Sequence, residues 1–364
     1  MAFYALPIEG PPLVGSFSLR PVDLKTTDLN GYNVSPTRVQ YFCLNCSAKM
    51  FFRDNNTEWS VAGGILESLE GIGKLVNHVN IAETMDGGLA DQMRILDGRT
   101  MLRYAKEAGG EELPVGWRSK ELKAGEKPTK DDKLHARCQC GAIRVYVTRP
   151  DKLSAETYAP YPDILYATKY MRLSSLRNPR DEKWWLRPSF RTNRAGDLVH
   201  MHGSDYERAS PSAETKYLAG QCVCEHCRLG SGFEVQSYAF LSRTNVYEEG
   251  SEHPIDLVHE SDRPRGLKQY SSSPGKYREF CGTCGATAFW WHIGRPDVID
   301  LSIGLLDQEE DGVRAEDWFS WHKGRLAFME LALTTPRKGI IQGLVDGLKD
   351  ICVDRPGRSK IAKN

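Results

Sequence analysis

Alternation of apolar and polar positions is the clearest pattern along the chain. The runs Ile143–Val147 and Val235–Phe240, bounded by Gly, Pro and Asn, favour strands over helices. Trp290-Trp291-His292 reads as another strand, with His292 a half-buried side chain rather than a ligand. Helical spacing is scarcer. One helix is expected at about 89–108. A second is expected at 338–350, where Ile340, Ile341, Leu344, Leu348 and Ile351 share a face. The pattern predicts a mainly β fold with a few peripheral helices.

The chain has 364 residues, enough for two domains and a sizeable core without disulfide staples. Lys plus Arg and Asp plus Glu both number 48, so the net charge is zero. That balance argues against a nucleic-acid partner, because counterion release needs a cationic surface. No apolar run reaches the roughly 18 residues of a membrane span, and the N-terminus lacks a basic leader. A cytoplasmic protein with no membrane partner is expected. The oligomeric state is left open.

Cysteine placement changes this picture most. Ten cysteines occur, and nine fall in tight clusters; Cys352 stands alone. In a large chain of reducing surroundings, Cys-x-Cys and Cys-x-x-Cys spacings suit chelation better than disulfide pairing. Cys138 and Cys140 supply two thiolates, and Cys281 and Cys284 supply two more; together they make one closed structural zinc site. Cys222, Cys224 and Cys227 supply three from one short loop. Three protein ligands leave a fourth tetrahedral position for water or substrate, the pattern of a catalytic zinc. The alternative is that His226 or a distant residue closes that site. His226 directly precedes Cys227, and its ring is expected to point away from the metal.

An internal repeat appears when the cysteine pairs are aligned. Phe42-Cys43-Leu-Asn-Cys46 precedes Gly64 as Phe280-Cys281-Gly-Thr-Cys284 precedes Gly304, with 21 and 23 residues from first cysteine to glycine. The first copy, within 1–110, lacks the front half of the unit, so Cys43 and Cys46 cannot complete a zinc site there. A polar linker is expected at 111–132. A complete zinc domain follows at 133–335, with a long insertion at about 150–217, then a C-terminal helix and tail at 336–364. The insertion is rich in aromatic and His residues (Tyr158, Tyr161, Tyr166, Trp184, Trp185, His200, His202). At least one of these is expected to wall a pocket over the three-thiolate site.

The series Cys138-x-Cys140-Gly141, Cys222-x-Cys224-x-x-Cys227-Arg228, Gly232, Phe280-Cys281-x-x-Cys284-Gly285, Gly304 and Leu306-Asp307 resembles the glutathione-dependent formaldehyde-activating (GFA) family. The resemblance implies a β-tent of small coiled antiparallel sheets and a structural and a catalytic zinc with the ligands named above. It also implies a carbon–sulfur lyase activity that joins formaldehyde and glutathione. The chain departs from the family pattern in its 141–221 insertion, in Val223 where His is common, and in the truncated first copy. The expected function is therefore a zinc-dependent lyase acting on a glutathione-like thiol adduct or an aldehyde, with two zinc ions per chain. Glu234 is the candidate base, and Arg228 the candidate partner of an anionic substrate. The alternatives are a tailoring enzyme for a larger aromatic metabolite and a non-catalytic zinc-stabilised interaction module.

Overall fold

The alternating runs become strands, and the two cysteine repeats become two related hairpin series. A computed structural model of the chain describes residues 28–56, 58–68, 75–122, 127–170, 174–201 and 208–350. Its first sheet is antiparallel, in the order β1 (Leu29–Ser35), β2 (Arg38–Cys43), β3 (Lys49–Asp54), β4 (Glu58–Val61). The next strands, β5 (Lys133–Arg137) and β6 (Arg144–Thr148), bracket the turn that carries Cys138 and Cys140. After the insertion come β7 (Lys216–Cys222), the short helix α1 (Glu225–Ser231), β8 (Gln236–Ser242) and β9 (Val246–Glu248). Four further strands follow: β10 (Leu267–Ser273), β11 (Lys276–Cys281), β12 (Thr287–His292) and β13 (Val298–Ser302). The chain then adds β14 (Phe319–Trp321) and the helix α2 (Lys338–Asp350).

β10 to β13 belong to an eight-stranded sheet in which β7 and β8 lie beyond β13, and β14 joins β7 in parallel. The small sheet β9-β6-β5 stands beside it. The architecture is mainly β with several antiparallel sheets and few helices, as the alternation predicted. The largest sheet is broader than the small sheets expected.

The register of the first sheet matches that of β10 to β13. Leu29 faces Cys43 as Leu267 faces Cys281, and both pairings shift one residue before the hairpin turn. Phe42 faces Lys49 as Phe280 faces Thr287, again with a shift at the same step. A three-residue 3₁₀ turn follows each series, at Gly63–Ile65 and Ile303–Leu305.

The main core forms where β7, β8 and β13 are covered on both faces. Tyr217, Leu218, Ala219, Ala239, Leu241, Val298, Ile299 and Leu301 are all essentially solvent-free. Trp184, Trp185, Leu186 and Phe190 of the insertion complete that core. A second cluster sets Ile341, Leu344 and Leu348 of α2 against Met93, Leu96, Met101, Val223, Phe233 and Val235. Burying a side chain of this size contributes about 1.5–3 kcal/mol, so this cluster ties α2 to the segment that follows α1.

The helix expected at 338–350 forms. The helix expected at 89–108 does not: a 3₁₀ turn at Gly88–Asp91 gives way to short strands at Ile95–Leu96, Arg99–Thr100 and Leu102–Arg103. Positive φ at Gly87, Gly88, Asp97 and Gly98 breaks the helical path. Met93, Leu96 and Met101 pack with α2 instead, while Ala90 and Ala105 join Ile81 and Leu113. Within the segment expected as a linker, Leu113 and Leu122 are buried and the Leu113 N–H donates to the Arg103 carbonyl. No helix among the described residues is long and apolar enough to cross a membrane.

Candidate active site

Two turns distant in sequence meet to form the first thiol cluster. Cys138 and Cys140 come from the β5–β6 turn, Cys281 and Cys284 from the β11–β12 turn, and their four sulfurs lie within 4.8 Å of one another. Cys138 Sγ is 3.4 Å from Cys140 Sγ, and Cys140 Sγ is 3.4 Å from Cys281 Sγ. A disulfide would need about 2.05 Å. A tetrahedral zinc with bonds of about 2.3 Å sets its sulfurs about 3.8 Å apart, so this cluster fits such an ion.

The first sheet braces this cluster. Asn30 Nδ2 donates to the Thr283 carbonyl at 3.2 Å, and Gln139 Nε2 donates to the Val34 carbonyl at 2.7 Å. Buried Lys49 donates to the carbonyls of Gly285 and Ser47. Burial pulls its ammonium down to about 8, while the Cys284 and Cys281 sulfurs favour the charged form.

The second cluster is local. Cys222 ends β7, Cys224 caps the start of α1, and Cys227 sits in its first turn, with the three sulfurs again within 4.8 Å. Arg278, from the middle of β11, extends Nη2 to within 3.5 Å of Cys227 Sγ and 3.8 Å of Cys224 Sγ. Its Nη1 donates to the Tyr238 hydroxyl at 3.2 Å. Hydrogen bonds from Cys222 and Cys224, together with this guanidinium, hold Cys227 well below the usual thiol range. Cys227 is therefore the thiol of the cluster poised to carry negative charge, the state a metal ligand needs, while Cys222 and Cys224 are held above the usual range.

A family model described as "Glutathione-dependent formaldehyde-activating enzyme" matches residues 210–321. This stretch is similar to that family. It contains Cys222, Cys224, Cys227, Cys281 and Cys284, and it begins after Cys138 and Cys140. Among curated proteins, none matches the chain.

Above the three thiols of the matched stretch opens a cavity of about 300 Å³. Tyr238, Phe240 and Trp290 form its aromatic wall, and Lys276 stands exposed at the rim. His226 also lines the cavity, exposed and outside the group of three sulfurs, as expected of a residue turned from the metal.

The two non-cysteine candidates are placed elsewhere. Glu234 is buried and engaged by Arg337, whose Nε donates to its Oε2 at 2.5 Å, and it does not line this cavity. After α1 the chain turns at Gly232, so closeness to Cys227 in sequence does not become closeness to the cavity. Arg228 likewise does not line the cavity. Its Nη1 donates to the carbonyls of Gly64 and Leu66, which joins α1 to the first sheet.

The aromatic insertion also differs from expectation. Trp184 and Trp185 are core side chains, Tyr161 packs edge-on against Tyr166, and His200 packs on Phe190. Tyr158 is half exposed. None of these six lines the cavity, and His202 lies outside the described residues, as does Cys352. What the insertion does contribute is Asp163 and Ile164. Arg278 and Tyr238 were also missed, although Arg278 stands three residues before Cys281 on a strand that leads to the cysteine turn.

Proposed function

We propose that the chain is a zinc-dependent enzyme of carbon–sulfur lyase type, which joins and separates a glutathione-like thiol and a small aldehyde over Cys222, Cys224 and Cys227. The observation that carries this reading is the gathering of three sulfurs and one guanidinium at the wall of a cavity sized for a small molecule. Zinc held by these three cysteines, with one position open, would supply a cation that favours the ionised thiol. A closed four-cysteine site at Cys138, Cys140, Cys281 and Cys284 would hold the second zinc and stabilise the fold.

The chain's own residues have definable roles in this reaction. Thiolate sulfur attacks the carbonyl carbon, the C–S bond forms, the C=O π bond breaks, and its oxygen takes a proton. Arg278 offsets the charge that accumulates on the sulfurs, and Tyr238 fixes its guanidinium. Lys276 at the rim suits the carboxylate of an acidic peptide thiol. Phe240 and Trp290 exclude water from the reacting atoms. The aromatic-metabolite alternative loses its support, since the described insertion aromatics do not line the cavity.

The test is exchange between formaldehyde, glutathione and S-hydroxymethylglutathione, followed by magnetisation transfer, with wild type and Cys224→Ser. Wild type should accelerate exchange beyond the spontaneous rate, and its cobalt-substituted form should change spectrum on addition of glutathione. Cys224→Ser should fold, hold one zinc instead of two, and lose the acceleration. A wild-type chain that is inert in both assays rules out the lyase.

A further inference from the structure

The insertion brings to the cavity a carboxylate with one oxygen that has no hydrogen-bond partner among the described residues. Three acids line this cavity: Asp163, Asp300 and Glu225, the last exposed and 4.0 Å from Arg228. They differ in their partners. Asp300 is paired, its Oδ1 accepting from Arg295 Nη2 at 2.8 Å. Asp163 Oδ2 is shielded from solvent and has no hydrogen-bond partner among the described residues. Leaving a buried polar atom unsatisfied costs about 1–3 kcal/mol, so an orphan at a cavity wall is best explained by what enters the cavity.

The position of this side chain is built, not incidental. Arg325 donates to the Asp163 backbone carbonyl and is itself held by Glu330. The Leu165 N–H closes a turn onto the Pro162 carbonyl at 3.1 Å. Next to Asp163, Ile164 is seated over Gly220 of β7: a Cβ at 220 would come within 2.7 Å of Ile164 Cδ1. Gly220 thus makes room for the insertion two residues before the first thiol of the cluster.

We infer that Asp163 is the proton-transfer residue of this cavity, donating to the oxygen of a carbonyl under attack by a thiol and recovering that proton when the adduct is cleaved. This inference rests on the lyase reading above. The atoms balance: the thiol releases its proton to solvent, the carbonyl oxygen takes the Asp163 proton, and solvent returns one to the carboxylate. The reverse path removes the adduct's hydroxyl proton to Asp163, restores C=O and expels the thiolate. Burial raises the Asp163 carboxyl to about 6, against a hydrogen bond from its own backbone N–H and the pull of Arg295 and Arg325, with Cys227 reinforcing the rise; burial also raises Asp300, to about 7. An acid in that range exchanges protons readily near neutral pH.

The test uses the full chain with its native metal content. Asp163→Asn should slow the formaldehyde–glutathione exchange by about 100-fold or more, with zinc content unchanged. Asp163→Glu should recover part of the rate with a displaced pH profile. In a second measurement, a small diazoacetamide, which esterifies protonated carboxyl groups, should label Asp163, and glutathione should protect it. This readout decides the matter if Asp163→Asn does not fold. An Asp163→Asn chain within threefold of an active wild type, or an Asp163 that is unlabelled or unprotected, overturns the assignment alone. A wild-type chain that does not accelerate the exchange overturns the lyase reading and this inference together.

Discussion

The hairpin that carries Cys43 and Cys46 and the hairpin that carries Cys281 and Cys284 share register, bulge position and turn conformation. Even the residue after the second cysteine agrees: Ser47 has φ 61° and Gly285 has φ 69°. Only the second hairpin belongs to a group able to hold a metal ion among the described residues. The difference is external to both hairpins, because Cys138 and Cys140 approach one and no such pair among the described residues approaches the other. A cysteine turn is half a site, and what completes it is the segment that folds against it. The first hairpin serves as a brace instead, since Asn30, Lys49 and the backbone of β1 hold the turns on which the complete cluster stands.

The sharpest way to break this comparison is to remove one sulfur from each hairpin. The four-thiol cluster closes a loop between Cys140 and Cys281, and a structural zinc is worth about 10–16 kcal/mol of apparent binding free energy. That matches or exceeds the net stability of a typical domain, about 5–15 kcal/mol. Cys284→Ser should therefore give largely insoluble protein or a fall of tens of degrees in Tm. Cys46→Ser should leave zinc content unchanged and shift Tm little, since it disturbs about 0.5 kcal/mol at most. Metal analysis and thermal melting check both. A zinc lost from Cys46→Ser would mean the two hairpins are equivalent after all.

A middle-sized effect is expected at the two matching glycines. A Cβ on Gly64 would strike the backbone of Gly232, Arg228 and Phe233, where α1 ends against the first sheet. A Cβ on Gly304 would meet only Ser302 Oγ, at 3.8 Å. Gly64→Ala should cost about 1–3 kcal/mol and lower Tm by about 2–6 °C, because backbone cannot yield as a side chain can. Gly304→Ala should be close to neutral. Equal melting temperatures for the two variants would show that α1 does not press on the first sheet.

The smallest effect concerns pH. Arg38 faces Asp54 in the first sheet, with Nε 3.6 Å from Oδ1, whereas the matching pair in the second is Lys276 and His292. Burial, with Arg295 and Lys276 nearby, lowers His292 to about 4. Because the folded state holds this proton less tightly than the unfolded chain, stability is full above about 6.5 and declines as pH falls toward 4. His292 is only partly buried, so screening keeps the contribution small. His292→Gln should flatten the dependence of Tm on pH between 6.5 and 4. An unchanged slope would remove His292 as its source.

These contrasts also show what a sequence discloses. The thiol clusters were legible because ligand spacing within a turn is a local property. The likeness of the two hairpins was legible because cysteine and glycine recur at similar spacing in both. Glu234 was misread because a capping turn at Gly232 reversed the chain, and Arg337, more than a hundred residues later, claimed its carboxylate. The segment 89–108 shows apolar positions compatible with a helix, but Met93, Leu96 and Met101 pack with α2 while Ala90 and Ala105 join Ile81 and Leu113. Asp163 left no signal at all. It sits in an irregular insertion, and its meaning comes from β7 passing beneath it.

The seam between α1 and the first sheet has a consequence for how this chain can change over time. Residues 225–227 line one cavity, while residues 230–233 line another, lined also by Lys49 and Phe52 of the first sheet. A substitution in this nine-residue stretch is therefore judged twice, once by the chemistry and once by the joint. Such shared parts narrow the set of tolerated variants. In a deep mutational scan, 225–233 should stand out as a block of intolerance flanked by freer sequence, with the first sheet's Gly64 the distant position that travels with it.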